Sequence, residues 1–340
     1  MSLRRFAPAT AALALGLSSA TGVTAQDVAP LGSNLERFAY PWPEKHFAVR
    51  VGDEDAQMTF MDVAPTRPNG QSVVLLHGKN FCAATWESTA RALLAAGYRV
   101  IIPDQLAFCK SSKPDSAQYT LALMADATHR LLEAQGVEKP IVLAHSTGGM
   151  LALRYALMFP QDTSRLMLIN PLGLVDRMEQ GVPYAPLDKL IAAERAKDRA
   201  SIKGYQLRTY YHGDWRADYD RWVDMLAGQY ATDDDDAVEI AQAKTAEMIL
   251  TQPVSHEFGN LRVPVTLMIG RLDTTTFGKG QATDAVKARL KPIPEVVEDA
   301  AARMPDARIV WFEGRGHSPQ VEAPDEFEPR LIQALESPAP

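Results

Sequence analysis

Ser146 is the residue of this 340-residue chain most plainly placed for nucleophilic chemistry. The apolar run Ile141-Val142-Leu143-Ala144 stops at His145-Ser146. Thr147-Gly148-Gly149 follows, and then an amphipathic run from Leu151 to Phe159, closed by Pro160. That order predicts strand, sharp turn and helix, with a serine hydroxyl at the apex. The pattern Ala144-x-Ser146-x-Gly148 is that of a G-x-S-x-G nucleophile elbow with alanine at the first glycine position. On so tight a turn the residues two either side of the apex pack against one another, so only small ones fit, and both are small. The helix that follows would aim its N-terminal N–H groups at whatever reacts with Ser146. The same run also fits a buried strand followed by a helix with a serine N-cap, a common arrangement without chemistry. The rest of the chain has to decide.

The elements around the serine alternate. Phe47–Val51 and Gln57–Val63 alternate apolar and polar residues as half-buried strands do, with Gly52-Asp53-Glu54-Asp55 turning between them as a hairpin. After the breaker cluster Pro65 to Gly70 come a strand at Val73–Leu76, a helix at Trp86–Ala96 and a strand at Tyr98–Ile102. A helix at Leu121–Gln135 precedes the elbow strand, and Arg165–Ile169 is the strand after the elbow helix. Short, continuously apolar strands alternating with helices imply a parallel sheet covered on both faces. Between about Leu172 and Asn260 no strand is predicted, only helices at Leu187–Ala200, Trp215–Gln229 and Asp233–Leu250. The acidic run Asp233–Asp236 suits a first helical turn and lacks the spaced ligands of a calcium loop. Strands return at Val263–Ile269 and Ala307–Phe312, and a helix spans Asp325–Leu335.

Composition sets the class. Hydrophobic residues make up 46% of the chain and charged ones 23%, as in a soluble globular protein, and the formal charge is −7 with dispersed basic residues. Nothing there suggests a nucleic-acid surface. Arg4 and Arg5, the apolar stretch Ala9–Leu17 and Val23-Thr24-Ala25 have the order of a secretory signal peptide cut after Ala25. The stretch is shorter than the ~20 residues a spanning helix needs. The expectation is an exported protein, periplasmic or extracellular, with no stable membrane insertion. Its divisions are a signal peptide (1–25), a core domain (26–171 and 261–340) and a helical cap or lid (172–260).

Four motifs, in order, carry a resemblance to the α/β-hydrolase fold family that runs from Phe47 to Leu335. His77-Gly78-Lys79-Asn80-Phe81 looks like the H-G-x loop after the third strand. Asp104 to Pro114 looks like the D-x-x-G-F-G-x-S-x-K-P segment after the fourth, with both glycines replaced, by Ala107 and Cys109. Ala144 to Gly149 is the elbow, and Gly314-Arg315-Gly316-His317-Ser318-Pro319 is similar to the G-x-G-H-x-P loop of the catalytic histidine. The resemblance implies an α/β fold with a mostly parallel eight-stranded sheet and a helical cap inserted after strand six. It implies Ser146 as nucleophile, His317 as base and Asp273, in Gly270-Arg271-Leu272-Asp273, as the acid. Asp176 is the alternative acid, since some relatives carry theirs after the sixth strand. The backbone N–H groups of Lys79 and Thr147 would form the oxyanion hole. That leaves the Lys79 side chain to meet an acidic substrate group or to be solvated. No cofactor and no metal are implied.

A serine at the apex excludes the alkyl-ester chemistry of relatives that attack through aspartate. Acyl transfer to water leads: a carboxylesterase-like serine hydrolase for a small-molecule substrate. Carbon–carbon, amide and lactone hydrolysis use the same triad, and a non-catalytic exported binding protein is the distant alternative. The substrate pocket would be lined by Asn80, Phe81, His145 and the lid aromatics Tyr210, Tyr211 and Trp215. Cys82 and Cys109, the chain's two cysteines, lie in loops that the resemblance places at one sheet edge. In an oxidising compartment they are expected to form a disulfide.

Overall fold

The computed structural model describes residues 28–232 and 236–337. The segment read as a signal peptide lies outside them, as do three residues of the acidic run, 233–235. Eight strands form one sheet: β1 (Glu44–Val51), β2 (Glu54–Val63), β3 (Ser72–Leu76), β4 (Arg99–Pro103), β5 (Ile141–His145), β6 (Arg165–Ile169), β7 (Val265–Gly270) and β8 (Ala307–Phe312). Their spatial order is β1-β2-β4-β3-β5-β6-β7-β8. The β1–β2 hairpin is antiparallel, β2 pairs antiparallel with β4, and every pair from β4 to β8 is parallel.

The apolar strand runs are continuous because both faces are buried. Val73 and Leu75, with Val100, Ile102, Leu143 and Met167, face one layer of helices, Glu87–Ala95 and Pro324–Glu336. Val74 and Leu76, with Ile101, Val142, Ala144 and Leu168, face the other, Leu121–Ala134, Thr147–Met158 and Ile293–Ala301. Successive residues thus serve opposite layers, as the two-residue period of a strand requires. Each fully buried Val, Leu or Ile contributes about 1.5–3 kcal/mol, so a one-residue slip of register would be costly. This sheet fixes the C-terminal ends of β3, β5, β7 and β8 along one edge, with β6 between β5 and β7.

Between β6 and β7 the described residues form helices Leu187–Arg195, Arg199–Thr209, Asp220–Tyr230 and Ala237–Thr251, with short 3₁₀ turns. The single helix expected at Leu187–Ala200 is broken. Asp198 caps a new helix, its carboxylate accepting the Ser201 N–H at 2.7 Å while the Ser201 hydroxyl accepts the Asp198 N–H at 2.9 Å.

The expected disulfide is not formed: Cys82 and Cys109 are buried free thiols. Cys82 Sγ lies 3.0 Å from the Met225 sulfur, and Cys109 Sγ donates to the Phe81 carbonyl at 3.3 Å. The loops are neighbours, as expected, and burial and then the nearby Cys82 thiol push the Cys109 thiol well up, but the two sulfurs are not bonded. Ala107 and Cys109, at the two missing glycine positions, still hold left-handed backbone at φ 76° and 52°. The turn therefore persists without glycine, at a cost of about 1–3 kcal/mol per residue.

Candidate active site

Ser146 stands at the end of β5 with φ 55° and ψ −118°, a conformation that side chains rarely adopt. The backbone around it is held on both sides: its N–H donates to the Ile169 carbonyl at 3.0 Å, and its carbonyl accepts the Leu172 N–H at 3.0 Å. Gly148 shows why the elbow needs small residues, since a Cβ there would come within 2.3 Å of the Leu76 carbonyl oxygen. Ser146 is 4% exposed. Thr147 opens the following helix, so its N–H has no intrahelical acceptor. The Lys79 N–H, in the loop after β3, likewise has no partner among the described residues.

His317 follows β8. Its Nδ1 lies 2.7 Å from Asp273 Oδ2 and 3.0 Å from Thr275 Oγ1. Asp273 follows β7, and its second oxygen accepts the Thr275 N–H at 2.7 Å. A carboxylate accepts a hydrogen bond from Nδ1–H and so holds the proton on that nitrogen, leaving Nε2 as the basic one. That Nε2 is buried and has no partner among the described residues. Asp176, the alternative acid, is elsewhere: it accepts the Met178 and Glu179 N–H groups at 2.9 and 3.1 Å and pairs with His256 at 3.0 Å.

The backbone of the histidine loop is pinned at every polar group from the Gly316 N–H to the Ser318 N–H. The Gly316 N–H donates to both oxygens of Glu322, each at 2.9 Å, and the Ser318 N–H donates to Glu322 at 3.2 Å. The His317 N–H donates to the Tyr210 carbonyl at 3.0 Å. Asn170 Nδ2 donates to the Gly316 and His317 carbonyls at 3.1 and 2.9 Å, and its oxygen accepts the Gly270 N–H at 3.1 Å. Gly270 lets the loop come this close, because a Cβ there would lie 1.9 Å from the Gly316 oxygen. Neither Asn170 nor Glu322 was expected from the sequence. The only signal was position, just after β6 and five residues past His317.

Glu322 is buried, and burial raises its carboxyl above the ordinary range against the pull of the Gly316 N–H and of His212, 3.3 Å away. Glu322→Gln turns an amide NH₂ toward backbone donors that need an acceptor. The expected result is a kcat lower by about 10- to 100-fold, since a displacement of an ångström costs on that order. Stability should fall by about 1–3 kcal/mol, checked by steady-state rates and a urea titration.

His145 is not a nucleophile's base. Its Nε2–H donates to the His317 carbonyl at 2.9 Å, and the two rings lie 4.8 Å apart. Burial, and then the neighbouring His317, push its pKa well below the ordinary histidine value. His77 is also pushed down by burial; its Nδ1–H donates to the Gly78 carbonyl at 2.9 Å and its Nε2 accepts the Gln105 N–H at 3.1 Å. Asp104, between these loops, is structural: it accepts the Ala83 N–H at 2.7 Å, the Tyr40 hydroxyl at 2.6 Å and the Lys110 N–H at 3.0 Å.

Two buried neutral histidines predict acid sensitivity. In the unfolded chain they take up protons below a pH of about 6.5, which the folded protein resists, so stability is lost as pH falls below that value. The melting temperature should drop between pH 7 and pH 5, and less steeply in His145→Gln, which keeps a donor for the His317 carbonyl.

Of the expected pocket residues, Asn80, Phe81 and Tyr210 converge. Tyr210 lies with its ring 4.9 Å from that of His317 and 5.5 Å from that of Phe81, and its hydroxyl accepts from Asn80 Nδ2 at 2.9 Å. Tyr211 and Trp215 instead pack within the inserted helical segment. Tyr211 stacks on Tyr219 at 3.8 Å and meets Trp215 edge-on at 5.5 Å. Their spacing in sequence reflects that packing.

The Lys79 side chain is neither solvated nor free for a substrate. Its ammonium donates to the Gln242 carbonyl at 2.6 Å and to the Gln242 side-chain oxygen at 2.8 Å, and it lies 3.5 Å from Glu194. Burial pulls its pKa down to about 8. Burial alone would raise Glu194, but Lys79 and Lys197 outweigh it and bring the carboxyl to about 2, so the pair is charged at neutral pH.

A mostly parallel sheet in this strand order, with a serine on a strained turn after the fifth strand and a histidine after the eighth, defines the α/β-hydrolase class of proteins. The chain belongs to the alpha/beta hydrolase family, whose model matches residues 73–330. The crystal structure of a probable hydrolytic enzyme from Pseudomonas aeruginosa PAO1 is similar at 43% identity and a TM-score of 0.89, over 91% of this chain and 99% of that one. Lipase 1 of Psychrobacter immobilis is 28% identical over 76% of this chain and 74% of its own length. A 2-hydroxy-6-oxo-6-phenylhexa-2,4-dienoate hydrolase of Burkholderia cepacia is 25% identical over 76% and 85%. Among the described residues no helix is long and apolar enough to cross a membrane.

Proposed function

We propose that this protein is a serine hydrolase that transfers the acyl group of an uncharged carboxylic ester to water. One observation carries the reading: His317 Nδ1 is held by Asp273 at 2.7 Å while Nε2, buried and unclaimed, is left as the base beside the Ser146 turn. His317 takes the Ser146 proton as the hydroxyl attacks the ester carbonyl. The Lys79 and Thr147 N–H groups receive the charge that develops on oxygen, each worth about 3 kcal/mol. His317 then returns the proton to the departing alcohol, and water resolves the acyl-enzyme by the same steps in reverse. The Burkholderia relative is named for a dienoate, an anionic substrate. Lys79, the cation in the oxyanion loop itself, is committed to Glu194 and Gln242, which favours a neutral ester. A panel of acyl esters, amides, lactones and a β-diketone-like acid tests this, with Ser146→Ala as control. Turnover of the acid alone would overturn the ester reading.

The helical segment 172–260 is proposed to act as a lid that sets acyl preference without supplying a reacting group of its own. Tyr210 is its residue in ring contact with His317 and Phe81. Tyr210→Ala is expected to shift the ratio of long-chain to short-chain kcat/KM by about 10-fold, the lower end of the discrimination one methylene provides. Tyr211→Ala should instead cost stability and leave that ratio unchanged. Equal slowing of every substrate by Tyr210→Ala would remove the lid from substrate choice.

A further inference from the structure

The loop that would bind the oxyanion is anchored through a side chain, and the anchor lies in the inserted helices. Lys79 reaches away from the turn into the angle between helices Leu187–Arg195 and Ala237–Thr251. Its side chain is 11% exposed and that of Glu194 is 7% exposed. An ammonium has three N–H donors. Here they face the Gln242 carbonyl at 2.6 Å, the Gln242 side-chain oxygen at 2.8 Å and Thr245 Oγ1 at 3.3 Å, with Glu194 at 3.5 Å. No donor remains for a ligand.

The acceptors are themselves fixed. Glu194 also takes Lys197 and the Tyr230 hydroxyl, the latter at 2.5 Å and from the end of helix Asp220–Tyr230. Gln242 Nε2 donates to the Ala107 carbonyl at 3.2 Å, in the loop after β4. Three helices of the inserted segment and two loops of the sheet domain therefore meet at one buried cation. The N–H of that same residue is an unpartnered donor in the loop after β3 among the described residues.

We propose that Lys79 is a positioning residue: its side chain latches the inserted helices to the oxyanion loop, so the seating of those helices sets where the Lys79 N–H stands. The inference rests on the serine-hydrolase reading of the site. In it, charge stabilisation at the carbonyl oxygen depends on the inserted helices being docked, although they contribute no donor of their own. A burial this deep is expensive for a lone charge, so removing one partner strands the other. That dictates the design of the test.

Lys79→Met, Glu194→Gln and the double variant are compared with wild type and with Lys79→Arg, using a small neutral ester and a fluorophosphonate probe of Ser146. The double variant leaves no unpaired charge at the buried latch, the released Lys197 side chain being 29% exposed, and a melting temperature close to wild type shows that it folds. The expected result is a kcat lower by about 10- to 100-fold with KM within about threefold, the mark of an interaction made only in the transition state. Fluorophosphonate labelling should slow by a similar factor. The double variant should lose little more than Lys79→Met, and Lys79→Arg should recover part of the rate. Wild-type kcat and labelling in the folded double variant would overturn the latch while leaving the serine reading intact. A raised KM at constant kcat would overturn it in favour of direct substrate binding. Absence of labelling in the wild type, with Ser146→Ala fully active, would overturn the serine reading and the latch together.

Discussion

Ser146→Ala and His317→Ala are each expected to lower kcat by about 10⁴- to 10⁶-fold on whichever ester the wild type hydrolyses best. The double variant should lose little beyond either single one, because nucleophile and base act as a unit. Without the serine oxygen there is nothing for His317 to deprotonate. Without His317 the hydroxyl stays protonated, and its alcohol leaving group has no proton donor. The fold should be spared. Alanine tolerates the φ of 55° about as well as serine does, and Ser146 Oγ takes part in no hydrogen bond with another described residue. The His317 loop is held by its backbone, through Glu322, Asn170 and the Tyr210 carbonyl, rather than by the imidazole. Rates and thermal melts on the same samples check both halves. Full activity of Ser146→Ala on every ester would end the serine-hydrolase reading.

The sheet was legible because its strands are short apolar runs that must be buried on both faces, and little else folds so. The elbow was legible because its small residues flank the serine at fixed spacing, Ala144 and Gly148, although what Gly148 avoids is the Leu76 carbonyl of the neighbouring strand. What supports the histidine was not legible. Asn170 reaches Gly316 across 146 residues of sequence, and it does so through backbone carbonyls, which leave no side-chain pattern to read. Glu322 acts the same way from five residues on, through N–H groups.

Lys79 and Glu194 illustrate a second kind of blindness. The motif after β3 places Lys79 and a helical pattern places Glu194, but their pairing is a fact of how helices from the insertion dock on a loop of the sheet domain. No local rule specifies that docking. The cysteines show the complementary error. Topology brings the loops after β3 and β4 together, but whether two thiols bond depends on the direction of each Cα–Cβ vector. Here the Cys109 backbone is left-handed, Cys82 packs against Met225, and the two thiols stay unbonded. The break at Asp198 was written in the sequence as a capping box, and the apolar period running through it hid it.

Asp273→Asn is expected to lower kcat by about 10³- to 10⁴-fold, while Asp176→Asn should stay within about twofold of wild type. The first loss follows from hydrogen-bond direction. The Thr275 N–H donates to Asp273 Oδ1 at 2.7 Å and would fix the amide oxygen of an asparagine in that place. The amide NH₂ would then face His317 Nδ1, where a carboxylate oxygen now lies at 2.7 Å. A donor opposite Nδ1 forces the imidazole proton onto Nε2, the nitrogen that must be bare to accept the serine proton. Thr275 Oγ1, 3.0 Å from Nδ1, can still accept and should keep the loss below that of His317→Ala. Asp176 has no such role. It caps the turn at Met178 and Glu179, and an asparagine oxygen does that as well. The reverse pattern, a silent Asp273→Asn and a crippled Asp176→Asn, would move the acid to the loop after β6 without touching the nucleophile. A loss in both would mean that His256, paired with Asp176 at 3.0 Å, helps seat the insertion on which Tyr210 is carried.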